Sequence, residues 1–402
     1  MVRCRWRDRI FVSPYCRVAV PENLGLPAEV FIDDATLREG EQSPGVVFSP
    51  EDKVRIAELL TEVGVDCIEA GFPASSEADF KAVANIASMG LGPRVYGFSR
   101  AVIDDIDAVA KCDCDGIVLS FPPSDIHIKY KLRMTREQYL ERAVQCVEHA
   151  KSYGLEVVYS AEDSTRTELD WLLTVFRSTI QAGVDRVRVV DTLGCITPSG
   201  MAYLVKQLRP LGKPIEVHCH NDHGLALANS LAAYEAGATY FSTSVLGLGE
   251  RAGIAATEEL IVAVHNLYGV EKYRLESLSE LCRVVSKLSG MPIWPSKPIV
   301  GENVFVHTSG IHQNAVLKDP LLYECFPPEM VGQRRRFLLS KVSGRAAVRA
   351  KLKELGFEAT DEDVANLTWI VKEVSSSRRS AITDEEFREL ARKYFEGRGR
   401  QA

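Results

Sequence analysis

Eight short runs of apolar and β-branched residues alternate with helical stretches of period 3.6, and this alternation predicts an α/β protein built as a (β/α)8 barrel, or TIM barrel. The alternation extends over residues 30–267. Helical stretches without intervening strands follow it, so we expect a smaller helical C-terminal region. The alternative is a doubly wound open sheet. That fold usually carries a glycine-rich phosphate turn after its first strand, but residues 33–42 contain no G-x-G-x-x-G.

The predicted strands are bounded by polar or glycine-containing turns. They span residues 30–33, 67–70, 94–97, 116–120, 156–161, 186–190, 214–220 and 240–243. The clearest helix start is at Ser49, because a serine N-cap is followed by Pro50 and by two acidic residues. Further helices are predicted over residues 135–153 and 225–236.

Three segments are expected along the chain. Residues 1–28 form an arginine-containing N-terminal extension, residues 29–290 form the catalytic barrel, and residues 291–402 form a linker and a helical C-terminal subdomain. The linker is indicated by two proline-containing breaks, at Pro292 and Pro295 and again at Pro298.

Composition excludes several classes of function. The formal charge of -7 and the pI near 5.8 argue against a nucleic-acid or anionic-membrane partner. The 10 cysteines are scattered without a C-x-x-C pair, as in proteins of a reducing compartment, so a cytoplasmic location is expected. No apolar run approaches the roughly 18 residues of a membrane span.

A pair of histidines ends the seventh predicted strand. Because side chains two apart on a strand point the same way, His218 and His220 are expected on one face, with Cys219 on the other. Two imidazoles on one face make half of a metal site. The alternative at this stage is a pair of hydrogen-bonded histidines, since H-x-H occurs often by chance.

Polar residues follow the other strands at the end where a barrel places its working side chains. After the first strand come Arg38 and Glu39. Glu39 offers an oxygen ligand that completes a set with the two histidines, and Arg38 offers a fixed cation for a carbonyl oxygen that gains negative charge. The alternative for Arg38 and Glu39 is a solvated surface ion pair.

The run DATLREGEQ at residues 34–42 resembles the D-x-T-L-R-[DE]-G-x-Q signature of the acetyl-CoA-dependent Claisen-condensing enzymes, the isopropylmalate, homocitrate and citramalate synthases. Further matching segments lie at residues 71–76, 124–127, 218–222, 249–253 and 309–313. They occur in the family's order between about residue 30 and residue 355, and the joint occurrence of these motifs is highly specific.

The resemblance implies a barrel in which a 2-oxo acid chelates a divalent metal (zinc, manganese or magnesium), Arg38 polarises the ketone, and acetyl-CoA attacks it before thioester hydrolysis. It implies the metal ligands Glu39, His218 and His220. It implies an active-site carboxylate at Glu162, and acid/base residues at His312 and Tyr323 that reach a partner subunit's site in a homodimer. Substrate contacts are implied at Gln42, Arg166 and Thr192. His127 and His223 remain open between a site role and a structural role.

The motifs expected around the substrate pocket do not match one member of the family throughout. Ile254 occupies the position of a metal-shell asparagine in isopropylmalate synthases, and Val342 replaces the histidine of a K-H-S-G-R motif. The pattern slightly favours a homocitrate synthase-like enzyme over isopropylmalate, citramalate or secondary-metabolism relatives. The sequence also leaves open a metal-dependent C–C lyase and a non-catalytic oxo-acid-binding protein. The regulatory domain of leucine-controlled relatives is not expected.

Overall fold

The computed structural model describes residues 7–19, 26 and 29–399. These residues form two compact units. One is Ser13–Ile293, and the other contains residues 7–12 together with the chain from Trp294 onward. Of the predicted N-terminal extension, residues 1–6, 20–25, 27 and 28 lie outside the described residues. Within the described chain, no helix is long and apolar enough to cross a membrane.

The first unit is a closed barrel of eight parallel strands in sequential order, as the sequence predicts. Its strands are β1 (Phe31–Asp34), β2 (Cys67–Gly71), β3 (Arg94–Arg100), β4 (Gly116–Ser120), β5 (Glu156–Ala161), β6 (Arg186–Asp191), β7 (Ile215–Cys219) and β8 (Tyr240–Thr243). The barrel closes where β1 pairs with β8, with Asp34 in register with Thr243. Strand β3 continues three residues beyond its predicted end, because residues 98–100 stay paired with β4.

The helices of the barrel unit are α1 (Pro14–Ala19), α2 (Pro50–Val63), α3 (Glu77–Ser88), α4 (Ile103–Lys111), α5 (Asp125–His127), α6 (Arg136–Ser152), α7 (Leu169–Gln181), α8 (Pro198–Leu208), α9 (Ala226–Ala236), α10 (Thr257–Tyr268) and α11 (Leu278–Ser289). The predicted start at Ser49 is confirmed. Its hydroxyl accepts the N–H of Asp52, and the Asp52 carboxylate accepts the N–H of Ser49. Thr135 caps α6 in the same way.

The interior of the barrel holds charged residues that sequence reasoning did not anticipate. Arg188 lies 2.6 Å from Glu69 and 2.7 Å from Glu216, and both Arg186 and Arg188 approach Asp33, at 3.3 and 3.1 Å. All five side chains are at most 1% exposed. Charges this deeply buried are tolerated only when they are paired, so these residues form one ion network across four strands.

The second unit is mainly helical, as predicted, but the expectation that no strand occurs there is wrong. Strands β9 (Val306–His307) and β10 (Arg336–Phe337) pair in parallel. They are only two residues long, too short to give a period in the sequence. The helices are α12 (Gly310–Lys318), α13 (Arg345–Glu354), α14 (Asp361–Arg378) and α15 (Asp384–Gly399), and the last three enclose an apolar core that includes Leu367 and Phe387.

Candidate active site

The loops at the carboxyl ends of the strands surround a cavity of about 310 Å³ in the barrel unit. A cavity of this size suits a small metabolite. The structure brings together at its wall seven of the residues that the sequence analysis singled out: Arg38, Glu39, Gln42, Glu162, Thr192, His218 and His220. Their convergence follows from the parallel barrel, which sets the ends of all eight strands at one mouth.

The turn after β1 is fixed by its own polar residues. The Asp34 carboxylate accepts the N–H of Thr36 at 2.9 Å and the hydroxyl of Thr257 at 2.6 Å. The hydroxyl of Thr36 accepts the N–H of Val245 at 2.8 Å, which ties this turn to the loop after β8. Held at both ends, the turn presents the next residues, Arg38 and Glu39, to the cavity.

The Arg38 side chain is held in place by contacts with three neighbouring residues. Its guanidinium donates to Glu69 at 2.7 Å and to Glu39, and it lies over the ring of Phe98 with 4.8 Å between the guanidinium carbon and the ring centroid. The side chain is 8% exposed. The surface-pair alternative is therefore excluded: Arg38 is a buried, immobilised cation at the cavity wall.

Glu39, His218 and His220 form a compact group of potential ligands. One ligand atom from each lies within 4.8 Å of the others, and the two Nε2 atoms are 3.3 Å apart. The Nδ1 of His218 is 2.9 Å from the hydroxyl of Ser242, a contact that fixes the ring and leaves its Nε2 towards the group. The prediction that the two histidines share one face is confirmed.

The protonation state of His218 and His220 favours the binding of a cation. Burial, reinforced by neighbouring positive charge, holds the pKa of His218 well below its usual range, and burial also lowers the pKa of His220. Neutral imidazoles present lone pairs, which is the state that binds a metal. A second group of close carboxylates, Asp33, Glu69 and Glu216, is already neutralised by the arginines of the interior network.

The loop after β8 packs against Glu39 and requires glycine. The N–H of Glu250 donates to Glu39 at 3.1 Å. A Cβ on Gly253, whose φ is +78°, would lie 1.8 Å from the carbonyl oxygen of Gly247, so no other residue fits there. The next residue, Ile254, is buried and pairs through its backbone with His220, so it adds no ligand to the group.

Glu162 and Thr192 stand on the opposite wall, after β5 and β6. The carboxylate of Glu162 accepts from Lys131 at 2.7 and 2.9 Å and lies 3.5 Å from the Nε2 of His127. The hydroxyl of Thr192 accepts the backbone N–H of Asp163 at 2.8 Å. His127 thus belongs to the environment of the cavity wall, a position that the sequence left open.

Four other residues singled out from the sequence lie elsewhere. Arg166 is not among the cavity-lining residues, and its Nε donates to Asp163 at 2.8 Å. His223 is held through its Nδ1 by the carbonyl of Gly194 at 2.7 Å. In the second unit, His312 and Tyr323 are both exposed, and their ring centroids are 4.1 Å apart.

Sequence reasoning gave no role to four charged residues that the structure places at or beside the cavity. Arg188 and Lys131 line it, and Glu69 lies behind Arg38. Arg251 also lines it and joins three loops, donating to Asp222 at 2.9 Å and to the carbonyl of Thr192 at 2.6 Å. Arg251 had a signal in the sequence, since it lies in the glycine-rich motif at residues 249–253.

A closed barrel with an arginine, a carboxylate and two neutral histidines at its carboxyl mouth defines a TIM-barrel protein with a candidate divalent-metal centre. The chain belongs to the HMGL-like family, whose model matches residues 29–285. A second model, the homocitrate synthase post-HMGL domain-like family, matches residues 299–379.

Three similar proteins with high sequence identity are named as synthases. The chain is 48% identical over 389 residues to homocitrate synthase AksA of Methanopyrus kandleri, covering 96% of this chain and 98% of that protein. It is 48% identical over 387 residues to the probable 2-isopropylmalate synthase of Ignicoccus hospitalis, covering 95% and 97%. It is also 46% identical to the putative (R)-citramalate synthase CimA of M. kandleri, covering 91% and 72%. The resemblance to the condensing synthases is confirmed, and the chain is an enzyme of that family.

Solved structures with the same fold include hydroxymethylglutaryl-CoA lyase from Pseudomonas aeruginosa, with a TM-score of 0.60 and 21% identity, covering 66% of this chain and 95% of that one. The HMG-CoA lyase from Brucella melitensis gives a TM-score of 0.58 and 21% identity, covering 65% and 99%. At this identity the similarity establishes the fold of the barrel and carries no argument for lyase activity.

Proposed function

We propose that this enzyme condenses acetyl-CoA with a small 2-oxo acid. The methyl carbon of the acetyl group loses a proton and bonds to the keto carbon, the keto oxygen becomes a hydroxyl, and water then cleaves the thioester to release CoA. The observation that carries this proposal is that a fixed arginine, Arg38, lines the same small cavity as the carboxylate–imidazole group of Glu39, His218 and His220. Such a pairing suits an electrophilic ketone that gains negative charge.

Glu39, His218 and His220 would hold a divalent cation, for which zinc, manganese and magnesium are candidates. When bound, the ion supplies Lewis acidity to a chelating 2-oxo acid. The fit rests on the closeness of the three ligand atoms and on the neutral state of both imidazoles. The protein's part is to fix the ligands, through Ser242 behind His218 and through the N–H of Glu250 on Glu39.

Arg38 would donate hydrogen bonds to the keto oxygen as its negative charge develops. Because Glu69 and Phe98 already hold the guanidinium, little reorganisation is needed when the ketone reacts. Glu162 would act as the active-site carboxylate on the facing wall, with Gln42 and Thr192 as substrate contacts. Arg166, which lies outside the cavity lining, is not retained as a direct contact.

His312 and Tyr323 would supply acid–base groups to the site of a partner subunit in a homodimer. Their support is the exposed, paired placement of the two rings and the ability of imidazole and phenol side chains to transfer protons. Mixing inactive His312→Ala subunits with inactive Arg38→Ala subunits would test this: exchange into heterodimers restores about a quarter of the activity if each site uses residues of both chains. Without any recovery after subunit exchange, the shared-site proposal is wrong.

The substrate is tested by the release of CoA thiol with a panel of 2-oxo acids. We expect turnover with 2-oxoglutarate ahead of 2-oxoisovalerate and pyruvate, in line with the homocitrate synthases among the relatives. Isopropylmalate or citramalate synthase activity is the alternative, and the best substrate of the panel decides between them. No turnover with any 2-oxo acid, in protein loaded in turn with each candidate metal, would reject the condensation itself.

Arg38→Ala gives the matching test of mechanism. Removing a preorganised donor should lower kcat by about 10²- to 10³-fold while metal content stays at the wild-type level. Metal content is measured by atomic spectroscopy and kcat by thiol release. Near-normal turnover in this variant would show that the assigned role of Arg38 is wrong.

A further inference from the structure

We infer that Asp163 is a positioning residue for the reaction: it fixes Glu162 and Thr192 from behind the cavity wall and orients the Thr192 hydroxyl towards substrate. This inference rests on the proposed condensation for its kinetic test. Asp163 itself does not line the cavity, and its side chain is fully buried. Its role would therefore be exerted entirely through its neighbours.

The backbone of Asp163 is the first sign of a special position. It has φ 65° and ψ 32°, in the left-handed region that residues other than glycine, asparagine and aspartate rarely adopt. Strain of this kind persists only where the surrounding contacts over-determine it, and it is found preferentially at functional sites. The residue directly follows Glu162, so we expect a change in its backbone conformation to displace the Glu162 side chain.

The carboxylate of Asp163 receives three side-chain partners from two loops. Its Oδ2 accepts the hydroxyl of Ser124 at 2.6 Å and lies 3.0 Å from the Nδ1 of His127, both in the loop after β4. Its Oδ1 accepts the Nε of Arg166 at 2.8 Å. Arg166 thus acts on the site through Asp163, which accounts for a residue singled out from the sequence but absent from the cavity lining.

Two of these connections continue into the cavity. His127 holds its Nδ1 towards Asp163 and its Nε2 3.5 Å from Glu162, so one imidazole lies between the two carboxylates. The backbone N–H of Asp163 donates to the Thr192 hydroxyl at 2.8 Å. The hydroxyl oxygen accepts this bond through a lone pair, and because Thr192 lines the cavity, its own hydrogen can donate to a group bound there. The group it would meet there is an anionic or carbonyl oxygen, as a 2-oxo acid provides.

Asp163→Asn is the principal test. Asparagine tolerates the left-handed conformation and keeps the side-chain shape, but its amide replaces one acceptor oxygen with a donor. We expect kcat to fall by about 10- to 100-fold, because small displacements of reacting or orienting groups carry costs of that size. Metal content should be unchanged. A matched control is Asp107→Asn, which breaks a carboxylate–imidazole pair with His149 (2.7 Å) on helices outside the cavity and should leave kcat unaltered.

A double-variant experiment distinguishes a positioning role of Asp163 from a merely structural one. If Asp163 acts through His127, the double variant Asp163→Asn/His127→Gln should lose less activity than the product of the two single losses. Independent, multiplicative losses, or a wild-type kcat in Asp163→Asn, would overturn the inference. Should Asp163→Asn fail to fold, Ser124→Ala removes one donor to the same carboxylate and is expected to lower kcat in the same sense, by a smaller factor. A wild-type kcat in Ser124→Ala would then overturn the inference.

A readout other than turnover keeps this test distinct from that of the proposed function. Calorimetric binding of the 2-oxo acids to the metal-loaded protein reports the Thr192 contact directly. Wild-type protein that binds an oxo acid but does not turn it over would reject the condensation and leave the positioning role testable, since Asp163→Asn should still weaken binding. Equal affinity in Asp163→Asn and wild type would reject the positioning of Thr192.

Discussion

The interior of the barrel and its mouth both hold buried charges, but they use them differently. In the interior, Arg186 and Arg188 are enclosed by Asp33, Glu69 and Glu216, and each charge faces an opposite one inside the protein. At the mouth, the histidines and Arg38 face a cavity. On β7 the boundary falls between Glu216 and His218, two residues apart. On this strand, a separation of about 7 Å divides a charge that stabilises the barrel from a side chain available to a substrate, whereas Arg188 on β6 belongs to the interior network and also lines the cavity.

Glu69 belongs to both regions. Its carboxylate contacts Arg188 of the interior at 2.6 Å and Arg38 of the mouth at 2.7 Å. Burial alone would raise the pKa of Glu69, but the two arginines outweigh it and the pKa is lowered, so the group stays ionised. Asp33 has the opposite balance, because burial and the nearby Glu216 raise its pKa well above the usual range. The comparison predicts that mouth variants lose chemistry and interior variants lose stability.

The largest effect is expected at the mouth. His218→Ala removes one of three proposed ligands, so metal content and turnover should be lost together. His223→Ala is the matched control, because that histidine lies in the loop directly after β7, bonds the carbonyl of Gly194 and is not in the cavity lining. It should keep its metal. Full metal content in purified His218→Ala would remove His218 from the ligand set.

In the interior, Arg188→Met should lower the free energy of unfolding by about 3–5 kcal/mol. The variant removes the positive charge that pairs with two buried carboxylates, those of Glu69 and Glu216. Chemical denaturation of the metal-free protein measures this loss without a contribution from bound metal. If the variant is as stable as wild type, the interior charges do not depend on Arg188 for their neutralisation, and the division proposed above fails.

Between the two regions, Asp34 offers a pH test. Burial raises its pKa to about 6, against the smaller opposing effect of its hydrogen bonds with Thr257 and Thr36. The folded protein therefore binds this proton more tightly than the unfolded chain does. The stabilisation is fully present below about pH 4 and is lost as pH rises through about 6, with a maximum change of about 3 kcal/mol.

Asp34→Asn removes this titration. The unfolding free energy of the variant relative to wild type should rise between about pH 4 and about pH 7, as measured by denaturant titration at several pH values. Asp107→Asn is a control of opposite sign, because hydrogen bonds from His149 and Tyr153 lower the pKa of the partly exposed Asp107. A difference between Asp34→Asn and wild type that does not vary with pH would contradict the raised pKa.

The smallest effect is expected on the surface. Arg136 forms two 2.8 Å hydrogen bonds with Asp125, but the Asp125 side chain is 68% exposed. Arg136→Ala should change the free energy of unfolding by only about 0–1 kcal/mol, because solvent screens such a pair. A loss as large as that of Arg188→Met would show that burial is not what separates the two regions.

The strands, the start of α2 and the grouping of His218 with Glu39 could be predicted because each has a local signal: apolar runs, an N-cap, and a ligand at the end of a parallel strand. The interior network had none. Glu69 lies within the short run CIEAG, and Arg186 and Arg188 alternate with valines as on a half-exposed strand. Which face of these strands points into the barrel is determined only when the sheet closes, and the sequence of a single strand does not show it. The left-handed turn at Asp163 likewise depends on contacts from Ser124 and Arg166.

Because Glu69 contacts both Arg38 and Arg188, the position of Arg38 depends on the ion network in the barrel interior. Any exchange at Arg188 or Glu216 that moves the Glu69 carboxylate also moves the cation proposed to meet the ketone. A designer who wishes to change which oxo acid this protein accepts therefore has limited freedom in β2, β6 and β7. More freedom exists on the opposite wall at Lys131, whose side chain is 52% exposed and pairs with Glu162.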